Sequence, residues 1–340
     1  MRTWIALLVV LAVIAAALVF GLGLLDEDAD TDPGEGVPAE GDPQPEGDEP
    51  GTDPSLSAAG SDTEPEQVPA LEGLPVRKPL GVLLLVGVPQ RFNQFLAQRL
   101  DGHPEITVHS WAAPLPDGPR EGVPSAEVLP GAMSTPPRTV TLDDANIDVV
   151  VVHDLDPGLL ERDFWMEVVK RVGDGRLGLL VVPSVLQGQK LLDHDVLATV
   201  LPVAKATAIE GQPVPGTLGG MAAYVPTDAG TRHPASRLVS WPSWSRRIWG
   251  QRAMLETPWG TNVCYPVEEI PPGAVVLLDA KPARREALPA LIAADEKTGR
   301  VLWFGGWDLG GRHAYGRGNI VSDWGILLRN WAAWLAGRAD

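Results

Sequence analysis

The sequence predicts an α/β fold in which a mostly parallel sheet is covered by helices on both faces. Short and mainly apolar runs, such as GVLLLV at Gly81–Val86 and IDVVVV at Ile147–Val152, are typical of strands buried on both sides. Segments with helical spacing of apolar residues alternate with these runs, which is the order found in α/β domains. The roughly 260 residues from position 80 onward are enough to build one large core.

The N-terminal segment Trp4–Leu25 is predicted to anchor the chain in a membrane. It has 22 residues and no charged side chain, and as a helix it would span roughly 33 Å, enough for a hydrocarbon core of about 30 Å. Arg2 before it and the acidic residues from Asp26 onward predict that the N-terminus lies inside and the rest outside. A cleavable signal peptide is the alternative, since Ala15–Ala17 offers small residues. In either case we expect the body of the protein to be exported.

Residues 26–79 have the composition of a disordered linker. Sixteen Asp or Glu lie between Asp26 and Glu72, and no Lys or Arg occurs there before Arg77. Such a segment buries too little apolar surface to offset its chain entropy, so we expect a solvated tether, with an acidic interaction tail as the alternative. These acids supply nearly all of the net charge of −17. The remaining chain shows no basic block of the kind that binds nucleic acid.

Residues 80–183 predict alternating strands and helices. The apolar residues of Arg91–Leu100 fall on one helical face. Ala113–Arg138 is rich in Pro and Gly and predicts a long loop. The predicted strands are Gly81–Val86, Glu105–Trp111, Ile147–Val152 and Gly178–Pro183, and a second helix is predicted within Leu159–Val172.

The second half of the folded domain is predicted to be less regular. Residues from about 211 to 272 are rich in Gly, Pro and Trp, which indicates a large irregular insertion. A closing helix has apolar residues at i, i+3, i+4 and i+7, which predicts a packing face and not a ligand-stacking surface. Strands are predicted at Val275–Leu278, Leu288–Ala293 and Arg300–Gly305, and the helix face contains Trp324, Leu327, Leu328, Trp331, Trp334 and Leu335.

The order of these features resembles a known family over most of residues 80–340. The resemblance is carried by LLLVGVPQRFNQFLAQRL, DVVVVHDLDPGLL, DGRLGLLVVP, VLATVLPV, TRHPASRL, PPGAVVLL, TGRVLWFGGWDLGGR and WGILLRNWAAWL. In this order they are similar to the glutamine amidotransferase-like domains of the class I glutamine amidotransferase-like superfamily. The resemblance implies a flavodoxin-like three-layer sandwich, common in exported or membrane-attached bacterial proteins.

The resemblance does not extend to the catalytic residues of working amidotransferases. Those enzymes place a cysteine on a sharp, glycine-flanked strand-to-helix turn, with a histidine and a glutamate later in the chain, and the thiolate attacks the glutamine amide. Here the corresponding turn reads PSVLQGQ, with Ser184 near the nucleophile position, and no His-x-Glu pair follows it. The single cysteine, Cys264, lies in TNVCYP. We therefore expect a pseudoenzyme with respect to glutaminase chemistry.

Two groups at predicted strand ends are candidate site residues. Ser184 is a candidate hydrolase nucleophile that would need a histidine and an acid as partners; the alternative is a polar residue that ends a strand. His153-Asp154-x-Asp156 has the residue types of a metal site at a strand's carboxyl end, where ligands bind in parallel sheets. In the family the Asp156-Pro157 pair is instead a helix-start signal. We predict no metal and no cofactor, and we retain Asp154 and Asp156 as ligand-binding candidates.

The glycine-rich stretch GGWDLGGRHAYGRG follows the last predicted strand. It has neither the spacing of a dinucleotide fingerprint nor the Gly-Lys-Ser/Thr of a Walker sequence, and Asp308 would repel a phosphate, so we expect no nucleotide. Trp307, Asp308 and Arg312 are ligand-binding candidates, since Trp307 would stack on a sugar while the other two hydrogen-bond it.

These observations lead to two functional hypotheses. The first is a single-pass protein of the bacterial inner membrane, with its N-terminus inside and its folded domain in the periplasm, that acts as a binding or assembly module of the cell envelope. Its partners would be the membrane, through the N-terminal helix, and an envelope protein or carbohydrate. The second is an envelope hydrolase or carbohydrate-active protein that uses the cleft at the carboxyl ends of the strands. Its candidate residues are Asp154, Asp156, Ser184, Trp307, Asp308 and Arg312.

Overall fold

A computed structural model describes most of the predicted folded domain. The described residues are 76, 78–87, 91–114, 129–183, 187–206, 217–239, 242–253, 260–265, 267–282, 286–294, 299–306 and 319–337, and all of them belong to one compact unit, Asp62–Asp340. The predicted membrane segment 4–25 and almost all of the predicted linker 26–79 lie outside these ranges. Within them, no helix has both the length and the apolar character needed to cross a bilayer.

The described strands form one large mixed sheet and one small sheet. In chain order they are β1 Leu80–Val86, β2 Ile106–Ala112, β3 Ile147–His153, β4 Gly178–Val182, β5 Lys205–Ala206, β6 Thr217–Pro226, β7 Gly260–Val263, β8 Val267–Glu269, β9 Val275–Lys281, β10 Leu288–Ala293 and β11 Val301–Phe304. The large sheet has the order β2-β1-β3-β4-β11-β10-β9-β6-β7. Neighbours from β2 to β11 are parallel, and neighbours from β11 to β7 are antiparallel. Strands β5 and β8 pair separately.

Helices cover both faces of the parallel strands, as the sequence predicts for an α/β fold. The described helices are α1 Arg91–Asp101, α2 Thr141–Asp144, α3 Arg162–Gly173, α4 Gly188–Leu192, α5 Pro242–Ala253 and α6 Asn319–Leu335, with 3-10 turns at Pro157–Leu159 and Leu197–Thr199. Buried residues of α1, α5 and α6 belong to one apolar cluster, and those of α2, α3 and α4 belong to another. The layers are therefore helix, sheet and helix, and the α/β prediction is confirmed.

The pleat of β1 explains why its sequence is apolar throughout. Successive side chains of a strand point to opposite faces. Val82 and Leu84 accordingly belong to the cluster under α1 and α6, and Leu83 and Leu85 belong to the cluster under α3. All four side chains are fully buried, so a polar residue at any of them would lose its hydration without a replacement.

The predicted packing face of the closing helix is confirmed in α6. All six residues of that face are buried: Trp324, Leu327, Leu328, Trp331, Trp334 and Leu335. Trp331 packs against Phe304 of β11, with ring centroids 5.1 Å apart. These tryptophans fill the core and are not presented to a ligand.

The region predicted as an irregular insertion, at about 211–272, contains regular structure and extends the sheet. β6 pairs with β9 on one side and with β7 on the other, and α5 packs its Trp249 into the core. Gly and Pro within TLGGMAAYVP lower the local strand propensity. Pairing with strands distant in sequence overrides that preference. The local pattern therefore predicted irregular structure where β6 forms a strand.

Candidate functional site

The carboxyl edge of the parallel strands contains the topological switch point of the fold. Helix α1 follows β1 on one face of the sheet, and α3 follows β3 on the other face. Ligands of open α/β sheets bind in the crevice where neighbouring connections leave in opposite directions. The crevice between the ends of β1 and β3 is therefore the expected position of a ligand site.

Gly87 and Asp154 form a tight backbone contact in this crevice. The Gly87 N–H donates to the His153 carbonyl at 3.0 Å, and the Asp154 N–H donates to the Val182 carbonyl at 3.1 Å. A Cβ on Gly87 would overlap the Asp154 carbonyl oxygen. Asp154 has a φ of 49°, a left-handed conformation that Asp tolerates better than most residues. Its side chain is buried. The contacts that Asp154 makes with Gly87 and Val182 are backbone contacts, and they fix the shape of the crevice.

Asp156, the second candidate at this strand end, is engaged on both carboxylate oxygens. Oδ1 accepts the Gly158 N–H at 2.9 Å and caps the 3-10 turn that begins at Pro157, which confirms the predicted helix-start signal. Oδ2 accepts from Lys190 Nζ at 2.6 Å. Burial opposes ionisation, but the hydrogen bonds from Lys190 and Gly158 hold the pKa of Asp156 below its usual value.

Charged side chains continue from Asp156 around the ends of α3 and α4. Arg162 donates to Asp195 Oδ2 from Nη2 at 2.8 Å and from Nε at 3.2 Å. His194 lies beside this pair, with Nδ1 3.9 Å from Asp195 Oδ1. We call the following five residues the charged rim: Asp156, Arg162, Lys190, His194 and Asp195.

Among the described residues, two tyrosines pack at the other half of the carboxyl edge, beside β4 and β11. Tyr265 lies against Gly188 so closely that a Cβ there would overlap the ring, and it meets Trp303 edge to face at 5.8 Å. Tyr224 occupies the opposite face, where its hydroxyl would overlap a Cβ on Gly306. Gly306, the second residue after β11, therefore permits close packing of aromatic rings in this structure.

Cys264 is placed unlike a catalytic thiol. It lies between β7 and β8 and is fully buried. Its Sγ–H donates to the Pro289 carbonyl oxygen, with Sγ and the oxygen 3.5 Å apart. Burial, reinforced by the Asp279 carboxylate, raises the pKa of Cys264 to about 12. The thiolate is the nucleophilic form of cysteine, and at neutral pH this group stays protonated.

Ser184 would need a neutral histidine as its base, and two of the histidines of the chain, the buried His153 and the half-buried His233, are neutral at pH 7. Burial lowers the pKa of His153 to about 3. Burial and the nearby Arg300 lower the pKa of His233 to about 4, and its ring packs on Trp334 at 4.8 Å. Among the described residues, no three His, Cys, Asp or Glu side chains are grouped to hold a metal ion.

A His-x-Glu spacing does occur earlier in the chain, at His103-Pro104-Glu105. It precedes β2 and therefore lies at the amino edge of the sheet, away from the switch point. His103 Nε2 is 3.3 Å from the Gly325 carbonyl oxygen, and Glu105 pairs with Arg329. Both side chains join α6 to the sheet.

Four of the sequence candidates lie outside the described residues: Ser184, Trp307, Asp308 and Arg312. The structure adds Lys190, Tyr224 and Tyr265 to this edge, which the sequence analysis did not single out. Lys190 is separated from Asp156 by 34 residues, and no local pattern links the two. Gly188, which follows β4 after five residues, is the nearby residue whose type could have suggested close packing at this edge.

An open groove of about 790 Å³ lies at the opposite, amino edge. Its lining includes Gly81, Thr107, His109 and Arg171. In the described part of the β2–β3 connection, the helix over this face is the one-turn α2. Arg171 is held by Asp143 and Glu167, and the groove lies away from the ligand-binding edge of α/β sheets.

Comparisons with known proteins assign no family. No family model matches the chain, and no curated protein matches it. Among solved structures, the chain is similar to the exo-beta-1,4-mannosidase Op5Man5 from Opitutaceae bacterium strain TAV5, at 15% identity and a TM-score of 0.34. The match covers 76% of this chain and 36% of that one, so the chain spans about a third of the mannosidase's length. A likeness at this level carries no argument about activity.

Proposed function

We propose that this chain is a membrane-tethered, exported domain with an amidotransferase-like fold and no glutaminase activity, which serves as a binding or assembly module of the cell envelope. The observation that carries this proposal is the state of Cys264. It is the only cysteine of the chain, and its thiol is buried and protonated. A thiol-dependent glutaminase needs an accessible thiolate.

The strand order supports the finer fold assignment within this proposal. Strands β2-β1-β3-β4-β11 are parallel and adjacent in that order. Counted along the parallel strands alone, this is the order 2-1-3-4-5 of flavodoxin-like sheets. The antiparallel strands β10, β9, β6 and β7 then extend that core on one side.

Within the proposed function, a partner binds at the β1–β3 crevice and the charged rim. Among the described residues, Tyr265 and Tyr224 pack at the β4–β11 half of the same edge, which supports the crevice as the place where a partner binds. The rim offers both signs of charge, with Lys190 54% and Asp195 63% exposed in their side chains. Such a surface fits a polar envelope partner.

Activity assays on the full-length chain in detergent test this proposal. Ammonia release from glutamine and hydrolysis of nitrophenyl esters and glycosides are measured for the wild type, Ser184→Ala and Cys264→Ala. We expect no turnover above the buffer rate for any of the three proteins. Glutamine turnover that either substitution abolishes would overturn the proposal, and glycoside turnover would favour the hydrolase hypothesis.

Anchoring is tested separately in cells that express the full-length chain. We expect it to stay in the membrane pellet after alkaline extraction and to become extractable when residues 4–25 are deleted. Extraction of the wild-type chain without detergent would contradict the tether.

A further inference from the structure

We propose that His194 exchanges hydrogen-bond partners on acidification: the neutral ring accepts the Leu197 N–H, and the protonated ring donates to Asp195. The exchange would make the wall of the carboxyl edge sensitive to pH. This proposal concerns the structure of the α4–Leu197 segment and does not depend on what the domain binds.

The neutral state is the one seen in the structure. His194 Nδ1 accepts the Leu197 N–H at 3.3 Å, and Leu197 is a buried residue that begins the 3-10 turn Leu197–Thr199. A ring nitrogen that accepts a hydrogen bond carries no proton, so the neutral ring has its proton on Nε2. The bond supplies an acceptor to a backbone N–H at the start of this turn, which the turn itself does not pair.

Protonation removes this acceptor and leaves a second partner close by. An imidazolium donates from both nitrogens and cannot accept the Leu197 N–H. Asp195 Oδ1 lies 3.9 Å from the same Nδ1, and Arg162 uses the other carboxylate oxygen, Oδ2. A movement of about 1 Å would bring Nδ1 and Oδ1 to hydrogen-bond distance.

The charges that face His194 set the direction of the switch. Burial lowers the pKa of His194; Asp195 and Asp156 raise it, Arg162 lowers it, and the net pKa lies below the ordinary value. Lys190 pairs with Asp156 at 2.6 Å. The hydrogen bond from Arg162 lowers the pKa of Asp195. Asp195 therefore stays ionised while His194 gains its proton, and the new ion pair forms below neutral pH.

The exchange affects two groups next to His194. The turn at Leu197 loses an acceptor for its first N–H, so its local opening becomes easier. Asp195 gains a second cationic partner beside Arg162, which already donates to its Oδ2. Trp165 of α3, whose ring lies 6.1 Å from that of His194, is the surface against which the ring turns.

Hydrogen exchange on the full-length chain in detergent tests the switch. Peptides covering 188–200 are followed by mass spectrometry from pH 7.5 to 5, with the intrinsic pH dependence of exchange removed. Exchange at the imidazole C2 position of His194 gives its titration in the same samples. We expect protection at Leu197 to fall roughly three- to ten-fold as His194 is protonated, the range given by the loss of one net hydrogen bond.

His194→Asn is the central variant, because its side-chain oxygen still accepts the Leu197 N–H but does not titrate in this range. Its protection is expected to be independent of pH. Asp195→Asn removes the second partner and should move the His194 titration to lower pH, and His103→Asn is the control that leaves the response unchanged. An equal fall in His194→Asn, or pH-independent protection in the wild type, would overturn the proposal. If His194→Asn does not fold, a wild-type loss at Leu197 that does not follow the His194 titration overturns it as well.

Discussion

At the scale of single residues, Gly306 shows how a glycine after a strand can serve packing. The Tyr224 hydroxyl and the Phe304 ring occupy the space that a Cβ on Gly306 would need. Gly306→Ala should therefore destabilise the fold by about 1–3 kcal/mol, the usual cost of overpacking a core. The control is Gly250→Ala in α5, where a Cβ meets nothing within 4 Å and a gain of about 0.5–1 kcal/mol is expected. Urea unfolding measures the change in the free energy of unfolding for both variants. Equal changes would contradict the packing role of Gly306.

The buried His153 and the half-buried His233 predict a loss of stability in acid. The folded-state pKa values of His153 and His233 lie at about 3 and about 4, below the ordinary 6.5, because burial disfavours the charged ring. Their stabilising contribution is complete above pH 6.5 and declines as pH falls from there toward the folded-state values, since the unfolded chain then binds more protons. Each contributes a slope of up to about 1.4 kcal/mol per pH unit.

This pH dependence can be assigned with one substitution. Unfolding free energies from pH 7 to 4 should fall less steeply in His233→Gln than in the wild type. His103→Gln is the control, because His103 is not deeply buried. An unchanged slope in His233→Gln would show that other groups carry the acid sensitivity.

At the scale of elements, the two roles of Asp156 separate by mutation. Asp156→Ala removes both the cap on Gly158 and the ion pair with Lys190, and should cost about 1 kcal/mol or somewhat more. Lys190→Met removes only a partly exposed ion pair, and should cost about 0.5 kcal/mol or less. Thermal unfolding of the single and double variants measures both terms. Equal costs for the two single variants would mean that the cap contributes nothing.

The elements that the sequence predicts well are those whose local pattern and tertiary environment agree. β1 is apolar at every position because both of its faces are covered, and α6 repeats its apolar residues with helical period because one face packs on the sheet. β6 could not be predicted in this way, since its glycines oppose a strand and its pairing partners are remote in sequence. The same distinction applies to the site. The cap joins Asp156 to Gly158, two residues away, and could be predicted from the local sequence. Lys190 and Tyr265 are distant in sequence and are brought to the carboxyl edge only by tertiary folding.

At the scale of the whole molecule, the sheet consists of a parallel block and an antiparallel extension that share one core. Residues of both parts belong to the cluster under α1, α5 and α6. Tyr224 of β6 and Tyr265, which follows β7, pack at the carboxyl edge of the parallel block. The antiparallel extension therefore contributes side chains to that edge.

The position of β11 has a consequence for how the chain matures. Strand β11 follows the other described strands along the chain but lies in the middle of the sheet, where Val301 pairs with Leu179 on one side and Leu302 pairs with Ala293 on the other. The two parts of the sheet cannot be joined before β11 has been synthesised, and such remote pairing is slow. A chain that stopped before β11 would leave two open sheet edges instead of a shortened domain. The growing chain therefore depends on β11 for protection against aggregation.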